Sequence, residues 1–488
     1  MPYGPHTHDD RRRMLEALGI ESVDELFSDI PPALRAKGLD LPDPEPELHL
    51  SARLAALAGR NRVDLASFLG AGAYRHFSPP MVDQILLRGE WYTAYTPYQP
   101  EVSQGTLQSI YEYESLIGEL VGLDVVSASH YDGAAATAEA ALMTCRATQR
   151  DRVLVSRAVH PHYRAVLRTY FDGAGLDFED VPLVTEGPAA GTTDLADLER
   201  RLADPDQPVA GVVMAQPSFY GLLEPMAEAA RLTHAAGALF VAVVAPVSLA
   251  VLAPPGDYGA DIAAGEGQAL GIPPQYGGPY PGILACTDAL VRQIPGRLVG
   301  MTTDLDGQRA YVMTLQAREQ HIRREKAASN ICTNQTLLAL AASLWLASLG
   351  PHGLRDVAAL GAAKAAELEA ALAGVGVERL HPGAYLNEFA IRVPNAPAVH
   401  RELLARGILA GLVLADTVPD EPGIADALLV CATEVTTSDE IAAFVREIQA
   451  ALAVTASPIV EAGAGGRACG GLTEGRAKRR GRSARGLA

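Results

Sequence analysis

Between Tyr92 and Gln104 the chain sets Tyr92, Tyr95 and Tyr98 among Thr93, Thr96, Gln99, Glu101 and Gln104. Hydroxyls, amides and one carboxylate interleaved with Pro97 and Pro100 favour neither helix nor strand. A packed loop would explain such a segment. So would a binding surface whose hydroxyls hold a small polar ligand. Asn330, Thr333 and Asn334 in SNICTNQ offer the same polar groups, and helix capping accounts for them equally well. A third stretch, Ser127 to Leu142 (SASHYDGAAATAEAAL), reads as a small-residue turn opening a helix near Gly133. Free N–H groups and the positive dipole end suit a phosphate there, although an ordinary helix start reads the same way. His160 follows a strand-like run, where an imidazole either stacks on a ligand ring or only packs. Amine chemistry is narrowly restricted, because the chain holds four lysines: Lys37, Lys326, Lys364 and Lys478.

These groups sit in an acidic chain of 488 residues with a net charge of −18, long enough for two or three domains. That charge argues against nucleic-acid binding and against docking to anionic membranes, both of which need clustered Lys and Arg. Five cysteines, Cys145, Cys286, Cys332, Cys431 and Cys469, show no CxxC spacing and give neither a zinc site nor a disulfide framework. The opening residues MPYGPHTHDDRRR lack an apolar core, and no unbroken apolar run approaches about 18 residues. The cytoplasm is the expected location.

The elements that must position the polar groups read as follows. Residues 1–60 form a helical arm, with Thr7 to Asp10 capping a helix through Leu18 and a Pro-rich break at Leu41 to Glu47. Residues 61–311 alternate short apolar runs (Val153–Ser156, Ala210–Gln216, Ala238–Ala245, Gly282–Cys286) with amphipathic stretches (Thr193–Asp204, Leu223–Gly237). Uniformly apolar strands separated by helices predict a parallel sheet covered on both faces. Residues 312–456 form a smaller unit, with helices over Leu337–Leu349 and Val357–Leu372, strands at Phe389–Val393 and Ala427–Thr433, and a last helix N-capped by Ser438. Residues 457–488 carry seven basic and two acidic residues in a Gly-rich context, the composition of a disordered basic tail.

The order of these segments follows the landmarks of a large pyridoxal-phosphate domain, and two decisive positions fail. The strand after His234–Gly237, where an acid would face the pyridine nitrogen, contains no Asp or Glu. Where the cofactor lysine belongs, upstream of a GGP turn in GEGQALGIPPQYGGPYPG (Gly265–Gly282), Gln268 stands. An amide forms no Schiff base. Lys326 is the only lysine near a distinctive motif, in the wrong region. Four long motifs then make a resemblance specific: Ser67–Leu86, Thr93–Glu114, Gly265–Gly282 and Arg324–Leu340. Over about Arg11 to Leu452 the chain resembles subunit 1, the α subunit, of the decarboxylating glycine dehydrogenases, the P-proteins of the glycine cleavage system. It departs where family members tend to have Asp, at Ala245, and in its basic tail.

The resemblance implies an α/β fold of the pyridoxal-phosphate-dependent transferase kind (fold type I, aspartate-aminotransferase-like), with a smaller C-terminal α+β domain and no cofactor lysine. It implies a partner β subunit that binds pyridoxal phosphate through its own lysine, the two chains doubled into α2β2. Together they would decarboxylate glycine and pass the aminomethyl group to the lipoyl arm of H-protein. This chain would carry no catalytic residue and no metal. Its expected contribution to the shared pocket is Tyr95, Tyr98, Glu101, Gln104, Asn330 and Asn334. A self-sufficient lyase or aminotransferase using Lys326, and a non-catalytic scaffold, are the alternatives.

Overall fold

The computed structural model describes residues 4–36 and 38–456. Lys37 and the tail at 457–488, with Cys469 and Lys478, lie outside them. The chain divides into two compact units, Met1–Val63 and Asp64–Ala488.

In the first unit, helix α1 (His8–Leu18) begins at Thr7, whose side chain accepts the Asp10 N–H while Asp10 returns the bond to the Thr7 N–H. That reciprocal pair satisfies two of the four orphan donors of a helix start. Helix α2 (Glu47–Ala58) follows the Pro-rich break.

The second unit is organised on a seven-stranded sheet: β1 (Val125–Val126), β2 (Arg152–Ser156), β3 (Asp177–Val181), β4 (Val209–Gln216), β5 (Leu239–Val244), β6 (Ile262–Glu266) and β7 (Gly282–Cys286), in the order β1-β7-β6-β5-β4-β2-β3. The five strands β2 to β6 pair in parallel, while β7 is antiparallel to both β6 and β1. The sheet is therefore mixed, because the short chain between β6 and β7 turns back without a crossover helix. Side-chain alternation sends Leu154, Val212, Met214, Phe240 and Ala263 into one apolar core. Val153, Val213, Val241, Ile262 and Leu284 enter another on the opposite face. Two-sided burial is why these strands read as unbroken apolar runs. Helices α3 (Gln104–Val121), α4 (Gly133–Thr148), α5 (Pro161–Ala174), α6 (Leu195–Leu202) and α7 (Met226–Ala235) belong to the same half of the chain.

A hairpin, β8 (Leu298–Thr303) with β9 (Arg309–Thr314), leads on to helix α8 (Thr336–Ala373). By length and composition α8 could cross a membrane, a feature the search for unbroken apolar runs passed over. It breaks at Gly350, and Ala339, Ala341, Trp345, Leu354 and Ala358 join the first core. The C-terminal part is a three-stranded antiparallel sheet, β10 (Glu388–Arg392), β11 (Leu412–Val413) and β12 (Ala427–Cys431), packed with helices α9 (Ala396–Ala405) and α10 (Ser438–Ala456). Residues Ala66–Ser67 pair in parallel with Ile408–Leu409, so the start of the unit is tied to its C-terminal part. The cap of α10 is Thr437 rather than Ser438: its hydroxyl accepts the Glu440 N–H, and Glu440 accepts the Thr437 N–H.

Candidate functional site

Beyond the C-terminal ends of β4, β5 and β6 lies a cavity of about 70 Å³ lined by residues that include Tyr74, His160, Tyr163, Phe219, Ala245, Glu266 and Glu388. At about 10–15 Å³ per water it has room for a handful of waters. Helix α4 begins at Gly133, as the sequence predicts, and the structure adds Asp132 as its cap. The acceptor at this helix start belongs to the chain itself: Glu266 Oε2 accepts the Gly133 N–H at 3.0 Å. A Cβ at Gly133 would fall 2.3 Å from Tyr163 Oη and 2.9 Å from Glu266 Cβ, so only glycine allows this packing. Burial raises the Glu266 carboxyl to about 8, and the Gly133 N–H only partly offsets it. Glu266 therefore sits at the helix start as a neutral acid at pH 7.

Gln268 is buried two residues further on. Its Oε1 accepts the Tyr74 N–H at 2.8 Å, while Nε2 donates to Tyr74 O at 3.0 Å and Ile272 O at 2.5 Å. The amide thus binds the strap that runs from Gly70 to Ser78. Glu388 holds the same strap, accepting the Ala71 N–H at 2.6 Å and the Tyr74 O–H at 2.9 Å. Burial lifts Glu388 to about 7. His160 Nε2 lies 2.9 Å from Ala71 O, while its Nδ1 accepts the His162 N–H at 3.1 Å. These partners assign the proton to Nε2, and burial lowers the imidazole to about 4. Its ring packs edge-on against Phe219 at 4.9 Å. Further along, Glu434 accepts the Phe77 N–H at 2.7 Å and Trp345 Nε1 donates to Phe77 O at 2.8 Å.

A second pocket, about 200 Å³, opens among Trp91, Tyr92, Tyr95, Thr96, Arg297, Thr333, Asn334 and Thr336. Asn334 Oδ1 accepts from Arg297 Nη1 at 3.1 Å, and its Nδ2 donates to Ala128 O and Ser129 Oγ. Tyr98 lays its ring 5.8 Å from the Arg297 guanidinium carbon. Tyr95 is 82% exposed and makes no hydrogen bond to another described residue, so its hydroxyl is free for a second molecule.

The structure thus gathers Tyr95, Tyr98 and Asn334 around Arg297. It does not bring the other expected residues there. Gln104 spends its amide on strand β9, donating to Tyr311 O and accepting the Tyr311 N–H. Glu101 is exposed on the turn Pro100–Val102, and Asn330 is exposed ahead of α8. Residue types alone missed Arg297, Glu266 and Glu388. Glu266 had a legible signal, an acid two residues before Gln268. Arg297 and Glu388 had none, because their importance lies in contacts across 37 and 317 residues.

A family model described as "Glycine cleavage system P-protein" matches residues 1–448. The chain belongs to the P-protein family. It is 52% identical to the probable glycine dehydrogenase (decarboxylating) subunit 1 of Moorella thermoacetica, over 93% of this chain and all of that protein. The corresponding protein of Carboxydothermus hydrogenoformans is 48% identical, over 90% of this chain and 98% of its own. Among solved structures, an inhibitor-bound glycine decarboxylase (P-protein) of the glycine cleavage system superposes with a TM-score of 0.84 at 45% identity, covering 93% of this chain and all of that one. A sphingosine-1-phosphate lyase at 16% identity, with a TM-score of 0.61, shares the fold, that of pyridoxal-phosphate enzymes of fold type I.

Pyridoxal phosphate is the cofactor that this fold and family imply, and the residues lining the cavity do not fit it. Among the described residues no lysine lines the cavity, Ala245 offers no acid, and Glu266 fills the helix start. Lys364, on α8, is engaged with Glu367 and with Ser438 of α10, and Lys326 borders a different cavity with Arg146 and Arg292.

Proposed function

We propose that this glycine decarboxylase subunit of the P-protein family is the one without the cofactor lysine, active only with a second subunit. The observation that carries the reading is what stands at the cofactor positions: the groups that would meet a cofactor are Glu266 and Gln268, and both bind the chain's own backbone. Pyridoxal phosphate, the electron sink for decarboxylation, then belongs on a lysine of the partner. The complex loses CO2 from glycine and hands the aminomethyl group to the lipoyl arm of H-protein, in the cytoplasm.

In this reading the chain's own residues bind and orient. The pocket around Tyr95, Tyr98 and Asn334 forms a wall of the partner's site, with Tyr95 Oη donating to the substrate carboxylate. Two carboxyls raised by burial, Glu266 to about 8 and Glu388 to about 7, hold the helix start and the strap. The exposed Lys326 gives no comparable support to a self-sufficient enzyme.

The test is glycine-dependent CO2 exchange with H-protein, run on each subunit alone and on the two together. Exchange is expected only from the pair. Tyr95→Phe removes one charge-assisted bond, about 1.5–3 kcal/mol, and lowers turnover efficiency roughly 10- to 150-fold with the melting temperature of the complex unchanged. Wild-type rates in both Tyr95→Phe and Tyr98→Phe would make the segment a packed loop.

A further inference from the structure

Arg297 is 6% exposed, at the foot of strand β8. A guanidinium keeps its charge in proteins, and a buried charge normally faces an opposite one. Arg152, 8% exposed, follows that rule, with Glu179 Oε1 2.8 Å away. Arg297 does not. Among the described residues no carboxylate pairs with it, and its Nε has no hydrogen-bond partner. Its other nitrogens reach only neutral oxygens, Asn334 Oδ1 at 3.1 Å and Cys332 O at 2.7 Å.

This unpaired cation lines the pocket of about 200 Å³, space for far more than one water. The hydroxyls of Tyr95, Thr96 and Thr333 border the same space and make no hydrogen bond to another described residue. The cation is also held in place. Ser129, at φ 135°, presents its hydroxyl to both the Gln335 N–H and the Asn334 amide, and Asn334 in turn fixes the guanidinium. A rigid fork of donors, a set of free hydroxyls and no internal anion make a recognition site for an oxygen anion.

We infer that the Arg297 pocket seats an oxyanion of a small molecule, a carboxylate or a phosphate, at the site this chain shares with its partner. The inference rests on the two-subunit reading given above and adds the group that the shared wall recognises. The carboxylate source is glycine. The phosphate source is the cofactor carried by the partner. Arg297 positions the anion and takes no part in bond breaking.

The experiment uses the assembled complex with Arg297→Gln and Arg297→Lys. Three quantities are read: KM and kcat for glycine in CO2 exchange, the dissociation constant for added pyridoxal phosphate by fluorescence titration, and the elution volume of the complex. If the seat takes the carboxylate, Arg297→Gln raises the KM for glycine tenfold or more while kcat and cofactor affinity hold. If it takes the phosphate, the same variant weakens cofactor binding tenfold or more, inorganic phosphate competes in the wild type, and the KM for glycine holds. Arg297→Lys recovers part of either loss, because it keeps the charge and gives up the fork. Thr96→Glu is the control for a glutamine variant that does not assemble. It places a carboxylate at the rim beside an intact Arg297, and is expected to cost the same affinity in an assembled complex.

Normal assembly with both affinities within twofold of wild type, in Arg297→Gln or in Thr96→Glu, overturns the inference and leaves Arg297 a tie between Cys332 and Asn334. An inactive wild-type pair breaks the two-subunit reading instead. The cofactor titration needs no turnover and still decides whether a phosphate is seated.

Discussion

Glu266 shows how one residue changes what a fold can hold. At the start of α4 a carboxyl sits where the helix offers its N–H groups, and burial keeps a proton on it up to about pH 8, against an ordinary value of 4.5. Unfolded, the same group ionises near 4.5, so between about pH 5 and 8 the folded chain binds the extra proton. Stability then falls as pH rises across that window, by on the order of 3–5 kcal/mol for this group, and is flat above it. Glu224 and Glu388, both raised by burial to about 7, add slope of the same sign up to pH 7. Glu266→Gln mimics the protonated form. It is expected to flatten the fall between pH 7 and 8.5 in urea melts of the full chain and to make the variant the more stable protein at pH 8.5. A pH profile parallel to wild type would show that Glu266 is already ionised. The sequence gives Gln268 and Ala245 as absences at this scale, since a missing lysine can be read from residue types. It does not give Glu266 as the occupant, because only the fold brings residue 266 to residue 133.

At the scale of elements, the strap Gly70–Ser78 explains why the missing lysine is not a simple vacancy. Gln268, Glu388, His160, Glu434 and Trp345 all bind it, from five separate stretches of chain. Gly70 is required there, since a Cβ would lie 2.4 Å from Glu388 Oε1 and 2.7 Å from Cys431 Cβ. Restoring the lysine should therefore fail. Gln268→Lys removes the amide's paired bonds to Tyr74 and Ile272 and buries an ammonium in their place. The expected loss is about 3–5 kcal/mol, read by thermal and urea melts, with no capture of pyridoxal phosphate. A variant that melts like wild type and binds the cofactor covalently would contradict this account of the strap. The strands β2, β4 and β5 and the helices α6 and α7 were legible because burial on both faces or on one stripe leaves a period in the sequence. The antiparallel direction of β7 was not, because an apolar run carries no sign of direction. Nor was the cap at Thr437, which differs from the neighbouring Ser438 only in where the backbone turns.

At the scale of the whole molecule, the segment from Phe77 to Val102 leaves large side chains in solvent: Phe77 60%, Leu87 71%, Tyr92 67%, Tyr95 82% and Val102 80% exposed. Such exposure over one stretch that also borders the Arg297 pocket fits a surface completed by another chain. The full chain alone is expected to self-associate in sedimentation velocity, and its partner subunit to convert it to a discrete complex. A stable monomer unchanged by the partner would remove the obligate pairing. The family and the fold were open to reading from four motifs in order. The proposed division of labour between the Arg297 pocket and the Glu266 cavity was not, since both are assembled from residues far apart in the chain. That division is tested most directly by borohydride reduction of the assembled, cofactor-loaded complex, followed by mass spectrometry of both subunits. The account predicts a phosphopyridoxyl adduct on a lysine of the partner and none on this chain. An adduct on Lys37, Lys326, Lys364 or Lys478 would contradict it.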